Sequence, residues 1–165
     1  MNLGNESEIL EFKESTGELH KAIESIVAII NKHGYGELYF GVLDNGEVKG
    51  QIIADSTIKT VTDAIMRDID PKIVPSVTCI SYDNKSVLKI IFSGNKRPYS
   101  AFGNFLTRVG TTNRKMTRDE LVRLIQTNDY SDEWEKKITN KTINDIDDET
   151  LKKYFNEAVN CGRLS

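Results

Sequence analysis

Residues 26–50 read IVAIINKHGYGELYFGVLDNGEVKG. Ile23, just upstream, joins Ile26, Val27 and Ile30 at helical spacing, which predicts a helix with one buried face. Gly34 and Gly36 end that helix, and residues 38–42, Leu-Tyr-Phe-Gly-Val, follow as a strand. Asp44-Asn45-Gly46 supplies a tight turn, because Asn and Gly tolerate positive φ. A short second strand returns after it. Gly41 lies inside the first strand without a side chain, so another backbone or a ligand can approach it closely. The rest of the chain is expected to pack around this unit.

The whole chain has 165 residues, enough for one domain with an appendage and a real core. Its 38% hydrophobic and 28% charged content is that of an ordinary soluble globular protein. No run of eighteen apolar residues occurs and the N-terminus has no basic-then-apolar signal, so the expectation is a cytoplasmic protein with no membrane partner. Cys79 and Cys161 are far apart and make neither a disulfide framework nor a zinc site. His20 and His33 form no metal motif and read as helix-surface residues.

The net charge of −3 is unevenly distributed. Residues 129–165 hold six basic and nine acidic residues, which accounts for all of it, while residues 1–128 balance sixteen against sixteen. Between Asp83 and Asp119 there is no acidic residue. That window contains Lys85, Lys89, Lys96, Arg97, Arg108, Arg114, Lys115 and Arg118. A basic surface on a neutral domain suits phosphate groups.

In chain order, residues 9–14 alternate as a strand, with Leu10 and Phe12 facing the core and Glu11 and Lys13 on the opposite side. Ser15-Thr16-Gly17-Glu18 reads as a capping box for a helix over 18–32. A second helix, capped by Asp55 or Ser56, puts Ile58, Val61, Ile65 and Ile69 on one side and closes at Asp70-Pro71. Residues 73–82 and 86–92 read as a hairpin about Asp83-Asn84, and VLKIIF is apolar enough to be central in a sheet. A loop over 93–103 carries Pro98 and, as an exposed aromatic, Tyr99. A last strand spans 105–109, and Thr117 with Glu120 caps a helix to about Gln126. Residues 129–147 read as an acidic linker, followed by a short helix with Leu151, Tyr154, Phe155 and Ala158 on one face. That face suggests a fragment of something longer; equally, the helix could dock back onto the sheet.

Several chemistries lack their motifs: there is no GxxxxGK[ST], GxSxG, HExxH or paired-cysteine site. The order of segments nevertheless resembles a known family. Glu6-Ser7-Glu8-Ile9-Leu10-Glu11-Phe12-Lys13 resembles the ESxxxEFK opening of the AlbA-like Schlafen domain. The stretch quoted first resembles its second signature, IVAxxN…G…LxFGVxDxGxVxG. Ile69-Asp70-Pro71, Arg97-Pro98-Tyr99, Leu106-Thr107-Arg108-Val109-Gly110 and Met116-Thr117 match further segments, so the resemblance spans residues 6–126 in order.

The resemblance implies an α+β domain over residues 1–128, a mixed, largely antiparallel sheet with two to three packed helices. It implies a DNA-binding module at the N-terminus of bacterial transcriptional regulators, some labelled RecG-related helicases, with a winged-helix region downstream. Residues 129–165 would then be the linker and the start of that C-terminal region. Two departures stand out. Gly34-Tyr35-Gly36-Glu37 is one residue longer than the double glycine of many members, and the acid after the Gly-Val pair is displaced from Leu43 to Asp44. In animal relatives that cut RNA, two glutamates of the opening motif and a later aspartate hold a metal; Glu6 and Glu11 match the first two and Asp44 approximates the third.

Two function classes follow. In the first, Arg and Lys of the basic window contact phosphates and Tyr99 or Phe102 stacks on bases, with Lys13, Lys96, Arg97, Tyr99, Arg108, Arg114, Lys115 and Arg118 as the nucleic-acid-binding set. DNA is favoured over RNA. In the second, Glu6, Glu11 and Asp44 hold Mg²⁺ or Mn²⁺ against a scissile phosphate and Lys13 stabilises developing charge, giving a nuclease acting on RNA or single-stranded DNA. Against the nuclease, carboxylates at strand ends are mostly solvated or paired with lysines, and Glu11 could simply bridge Lys13. No cofactor is expected for the binder. A third reading is a ligand- or partner-sensing regulatory module, and a homo-oligomer would suit a regulator although no coiled-coil heptads are present.

Overall fold

The helix α1 (Leu19–His33) is buried on nearly every side from Ala22 to Asn31, not on one stripe. A helix that is covered all round sits between layers, and here strands of two different sheets pack against it. The computed structural model describes residues 1–127 and 147–161, and the chain divides into two compact units, Met1–Asp129 and Tyr130–Ser165. In the described part of the first unit, the elements after β1 (Leu10–Lys13) and α1 are β2 (Tyr35–Phe40), α2 (Asp55–Asp68), β3 (Ile69–Asp70), β4 (Ser76–Tyr82), β5 (Lys85–Ser93), β6 (Ser100–Ala101), β7 (Asn104–Val109), β8 (Thr112–Lys115) and α3 (Arg118–Thr127). The second unit contributes α4 (Asp148–Asn160), capped by the Asp147 side chain, which accepts from the Glu149 and Thr150 amides. The linker expected over 129–147 lies, but for its last residue, outside the described residues.

The architecture is α+β, with two four-stranded sheets where one was expected. The first runs β1-β2-β5-β4, with β1 parallel to β2 and the other pairs antiparallel. VLKIIF of β5 is central in it, as its composition predicts. The second sheet, β3-β6-β7-β8, is antiparallel throughout. Residues 112–115, which carried no strand signal, pair with β7 as its edge strand. Asp83 and Asn84, at φ 47° and 61°, make the two-residue turn between β4 and β5.

The main core joins Ile23, Ile26, Val27, Ile29 and Ile30 of α1 to Leu38 and Phe40 of β2, Leu88, Ile90 and Phe92 of β5, and Val61 and Ile65 of α2. Each such side chain contributes about 1.5–3 kcal/mol on burial. A second, smaller cluster on the opposite face of the first sheet contains Phe12, Tyr39, Val42, Val48 and Val87. This corrects the expected facing of β1. Phe12 pairs with Tyr39 and points away from α1, whereas Glu11 pairs with Leu38 and points toward the helix. Val42 also falls in the second cluster, because Gly41 at φ 94° breaks the alternation after Phe40. It is backbone that comes close to Gly41: its carbonyl accepts from the Lys49 and Gly50 amides.

Caps account for the remaining boundaries. The Ser15 hydroxyl accepts from the Gly17 amide in a 3-10 turn that leads into α1. The N-cap of α2 is Ala54, one residue before the expected caps, and its amide donates to the Thr57 hydroxyl. The capping box of α3 is complete: the Glu120 amide donates to the Thr117 hydroxyl, and the Thr117 amide to the Glu120 carboxylate.

Candidate functional site

β1 aims Glu11 beneath α1, where its side chain is 6% exposed. Oε1 accepts from Lys13 Nζ at 2.5 Å and from Ser25 Oγ of α1 at 2.9 Å. Oε2 accepts from Arg108 Nη2 of β7 at 2.5 Å. Arg108, 0% exposed, also donates to the Ser7 carbonyl at 3.2 Å and, through Nη1, to Asn113 Oδ1 of β8 at 2.7 Å. Asn113 Nδ2 in turn donates to Ser25 Oγ at 2.8 Å. Glu11, Ser25, Asn113 and Arg108 therefore close a four-membered ring of hydrogen bonds that ties the two sheets together through α1.

A buried carboxylate is tolerable only when cations and donors surround it. Here Lys13, Ser25 and Arg108 fill that role. Sequence reasoning singled out Glu11, Lys13 and Arg108 but missed Ser25 and Asn113. Ser25 is the polar interruption of an apolar helix, a signal that could have been used; Asn113 in a short polar segment offers none.

Glu6 is half-buried beside this ring, its Oε1 accepting from the Phe12 amide at 2.9 Å. Burial pushes its carboxyl above the usual range, and the charges of Glu11 and Asp44 push the same way, opposed by the Phe12 hydrogen bond and by Lys13. Asp44 is exposed on its turn, where Asn45 supplies the side chain that accepts from the Glu47 amide. Among the described residues no group of three or more His, Cys, Asp or Glu is arranged to hold a metal ion. With both Glu11 oxygens committed to Lys13, Ser25 and Arg108, these carboxylates do not fit Mg²⁺ or Mn²⁺ as they stand.

The basic window divides. Tyr99, expected to be exposed, is 2% exposed and belongs to the main core. Its backbone is pinned by Asn31 of α1: Asn31 Oδ1 accepts from the Tyr99 amide at 2.7 Å, and Nδ2 donates to the carbonyls of Tyr99 and Leu106. The Tyr99 hydroxyl accepts from the Lys96 amide. It cannot stack on a base without leaving the core. Arg108 is likewise withdrawn into the Glu11 ring, so its guanidinium is not on a surface.

Arg97 is half-buried, with Nη1 3.4 Å from the Asn31 and Lys32 carbonyls at the end of α1, where the helix dipole favours a cation. Arg114 forks onto Glu120 at 2.5 and 2.8 Å, and this cation holds the Glu120 carboxyl down at about 2. Lys96, Lys115 and Arg118 are exposed and have no carboxylate partner among the described residues. Within β8 the register sets Arg114 opposite Thr107 and Lys115 opposite Leu106, so the two neighbouring cations project to opposite faces. With Arg108 buried and Arg114 and Lys115 on opposite faces of β8, the expected nucleic-acid-binding set does not lie together on one face.

A family model described as "Schlafen, AlbA_2" matches residues 6–117. Among solved structures, the chain is similar to the DIP2311 protein of Corynebacterium diphtheriae, with a TM-score of 0.59 and 20% identity over 73% of this chain and 24% of that one. It is also similar to the N-terminal domain of a Nitrosomonas europaea protein named as ATP-dependent DNA helicase RecG-related, with a TM-score of 0.50 and 17% identity over 68% of this chain and 84% of that one. Such identities speak for the fold alone, and the chain spans about a quarter of the Corynebacterium protein. No curated protein matches. Among the described residues no helix is long and apolar enough to cross a membrane.

Proposed function

This chain belongs to the Schlafen AlbA_2 family, and from that premise we propose that its first unit is a nucleic-acid-binding module, acting on DNA in preference to RNA, within a cytoplasmic transcriptional regulator that also carries a winged-helix region. The observation that carries the reading is the absence of any acidic residue between Asp83 and Asp119, together with the exposed Lys96, Lys115 and Arg118 of this window, which have no carboxylate partner among the described residues. Arg97 and Arg114 add partial contacts, the second in competition with Glu120. Recognition of this kind is mainly of the phosphate backbone and is salt-dependent.

The test is a titration of the protein against labelled duplex DNA, single-stranded DNA and tRNA, each with and without Mn²⁺. Salt-sensitive binding that is strongest for duplex DNA, with every substrate left intact, is the expected result. Failure to bind any of the three at low salt overturns the reading. Mn²⁺-dependent cleavage that Glu6→Gln and Asp44→Asn each abolish, with circular dichroism unchanged, would put a nuclease through Glu6, Glu11 and Asp44 in its place.

A further inference from the structure

Strand edges differ sharply in how they are protected. The outer edge of β1 is covered by the preceding segment: the Ser7 amide donates to the Leu10 carbonyl, and Glu6 accepts from the Phe12 amide. The edge strand β8 carries Arg114 and Lys115, and charged residues are a usual guard against unwanted strand pairing. β4 has neither. It is the outer strand of the first sheet, and Ser76-Val77-Thr78-Cys79-Ile80-Ser81-Tyr82 contains no charge, proline or glycine. Ser76, Thr78, Cys79 and Ser81 are exposed, as is Val74 just before the strand at 81%.

The backbone groups that face outward follow from the hairpin. Tyr82 and Lys85 flank the two-residue turn and so form a hydrogen-bonded pair, after which bonded and non-bonded pairs alternate along the ladder. Ile80 and Thr78 then bond inward to β5, while Ser81, Cys79 and Val77 turn their amides and carbonyls outward. The same phase turns the Ser86 carbonyl away from β4, and it accepts from the Gln51 amide on that other side. No strand among the described residues meets the outward groups of β4.

We propose that the free edge of β4 pairs antiparallel with β4 of a second copy of this chain, about a two-fold axis at Cys79. Cys79 is the central residue of the strand and one of the outward-facing set, so the symmetric register satisfies its amide and carbonyl with those of its own mate. Val77 and Ser81 satisfy theirs with Ser81 and Val77 of the second copy. Thr78 stands opposite Ile80 and Ser76 opposite Tyr82, so no like charges meet. The absence of charge favours a second copy over a charged partner, and the palindromic phase of the outward groups favours a two-fold pair. The result is one continuous eight-stranded sheet with the ends β1 and β1 covered.

The experiment is sedimentation velocity of the full chain across a concentration series, with cross-linking of the Cys161→Ser chain by a short bismaleimide. A concentration-dependent dimer is expected, cross-linked in Cys161→Ser and not in the Cys79→Ser, Cys161→Ser chain. Cys79→Lys opposes two ammonium groups at the axis, and Cys79→Pro removes an amide that bonds to no described residue of the monomer. Each should leave the circular dichroism unchanged and weaken self-association by about fivefold or more. A monomer at every concentration overturns the proposal. So does a dimer that fails to cross-link through Cys79, a result that stands even if a variant does not fold.

Discussion

Arg108 and Glu11 are 97 positions apart in the chain and meet at 2.5 Å, with the arginine wholly buried. Removing Glu11 leaves the buried Arg108 guanidinium without a carboxylate, and removing Arg108 leaves Glu11 with one cation, Lys13, in place of two. Glu11→Ala and Arg108→Ala should each lower the stability of the first unit by about 3–5 kcal/mol, measured by urea unfolding. The double replacement Glu11→Leu, Arg108→Met should lose much less than the sum of the single replacements Glu11→Leu and Arg108→Met. Equal losses for the double and the sum would show that the two residues do not act as a pair.

Asn31 holds the segment from Tyr99 to Leu106 through three buried hydrogen bonds. Asn31→Ala leaves the Tyr99 amide and two carbonyls without partners, and about 1–3 kcal/mol is expected for each such group that water cannot reach. A loss of stability within the range of ordinary surface substitutions would contradict this role.

Tyr99→Phe discriminates between core and contact. It removes only the acceptor of the Lys96 amide, so stability should fall by about 0.5–1.5 kcal/mol while affinity for DNA is unchanged. A selective loss of affinity with stability intact would return Tyr99 to the interface.

Two carboxylates give opposite responses to acid. Glu120, held at about 2 by Arg114, contributes stability that is present above the unfolded value of 4.5 and is lost as pH falls from there toward 2. NMR titration of its carboxyl should report a midpoint near that low value, and Arg114→Gln should move it up. Glu6, raised mainly by burial, favours the folded state when protonated. Its contribution is lost as pH rises from 4.5 through the folded value, so Glu6→Gln should gain stability relative to the parent at neutral pH. An identical pH profile for parent and Glu6→Gln would refute this.

For the proposed interface, Arg118→Ala should lower the slope of log affinity against log salt by about one unit. Arg114→Ala should change it less, because Arg114 is already neutralised by Glu120.

Much of the fold is legible where a local signal has one physical meaning. The α1–β2 unit, the Asp83-Asn84 hairpin and the Thr117/Glu120 box all follow from spacing and turn chemistry. Reading fails where both faces of an element are covered. In β1, alternation separates two sides but sets Leu10 and Phe12, not Glu11, toward the main core, because a charged side chain beneath a helix becomes intelligible only once Arg108 and Ser25 arrive from distant parts of the chain. Tyr99 was misread for a similar reason: a proline loop looks exposed until Asn31, 68 positions away, is seen to draw it inward.

Between Ala22 and Asn31 the helix α1 is covered by strands from two sheets, and only its ends, at His20, Lys21 and Lys32, are open to solvent. The amides of Ile26–Ile30 can meet deuterium only when the surrounding layers separate, so their exchange should measure the free energy of complete unfolding. α3, with no fully buried residue, is free to open on its own and should exchange faster by orders of magnitude. The domain thus has one slow clock at its centre and a fast one at the rim that bears Arg118.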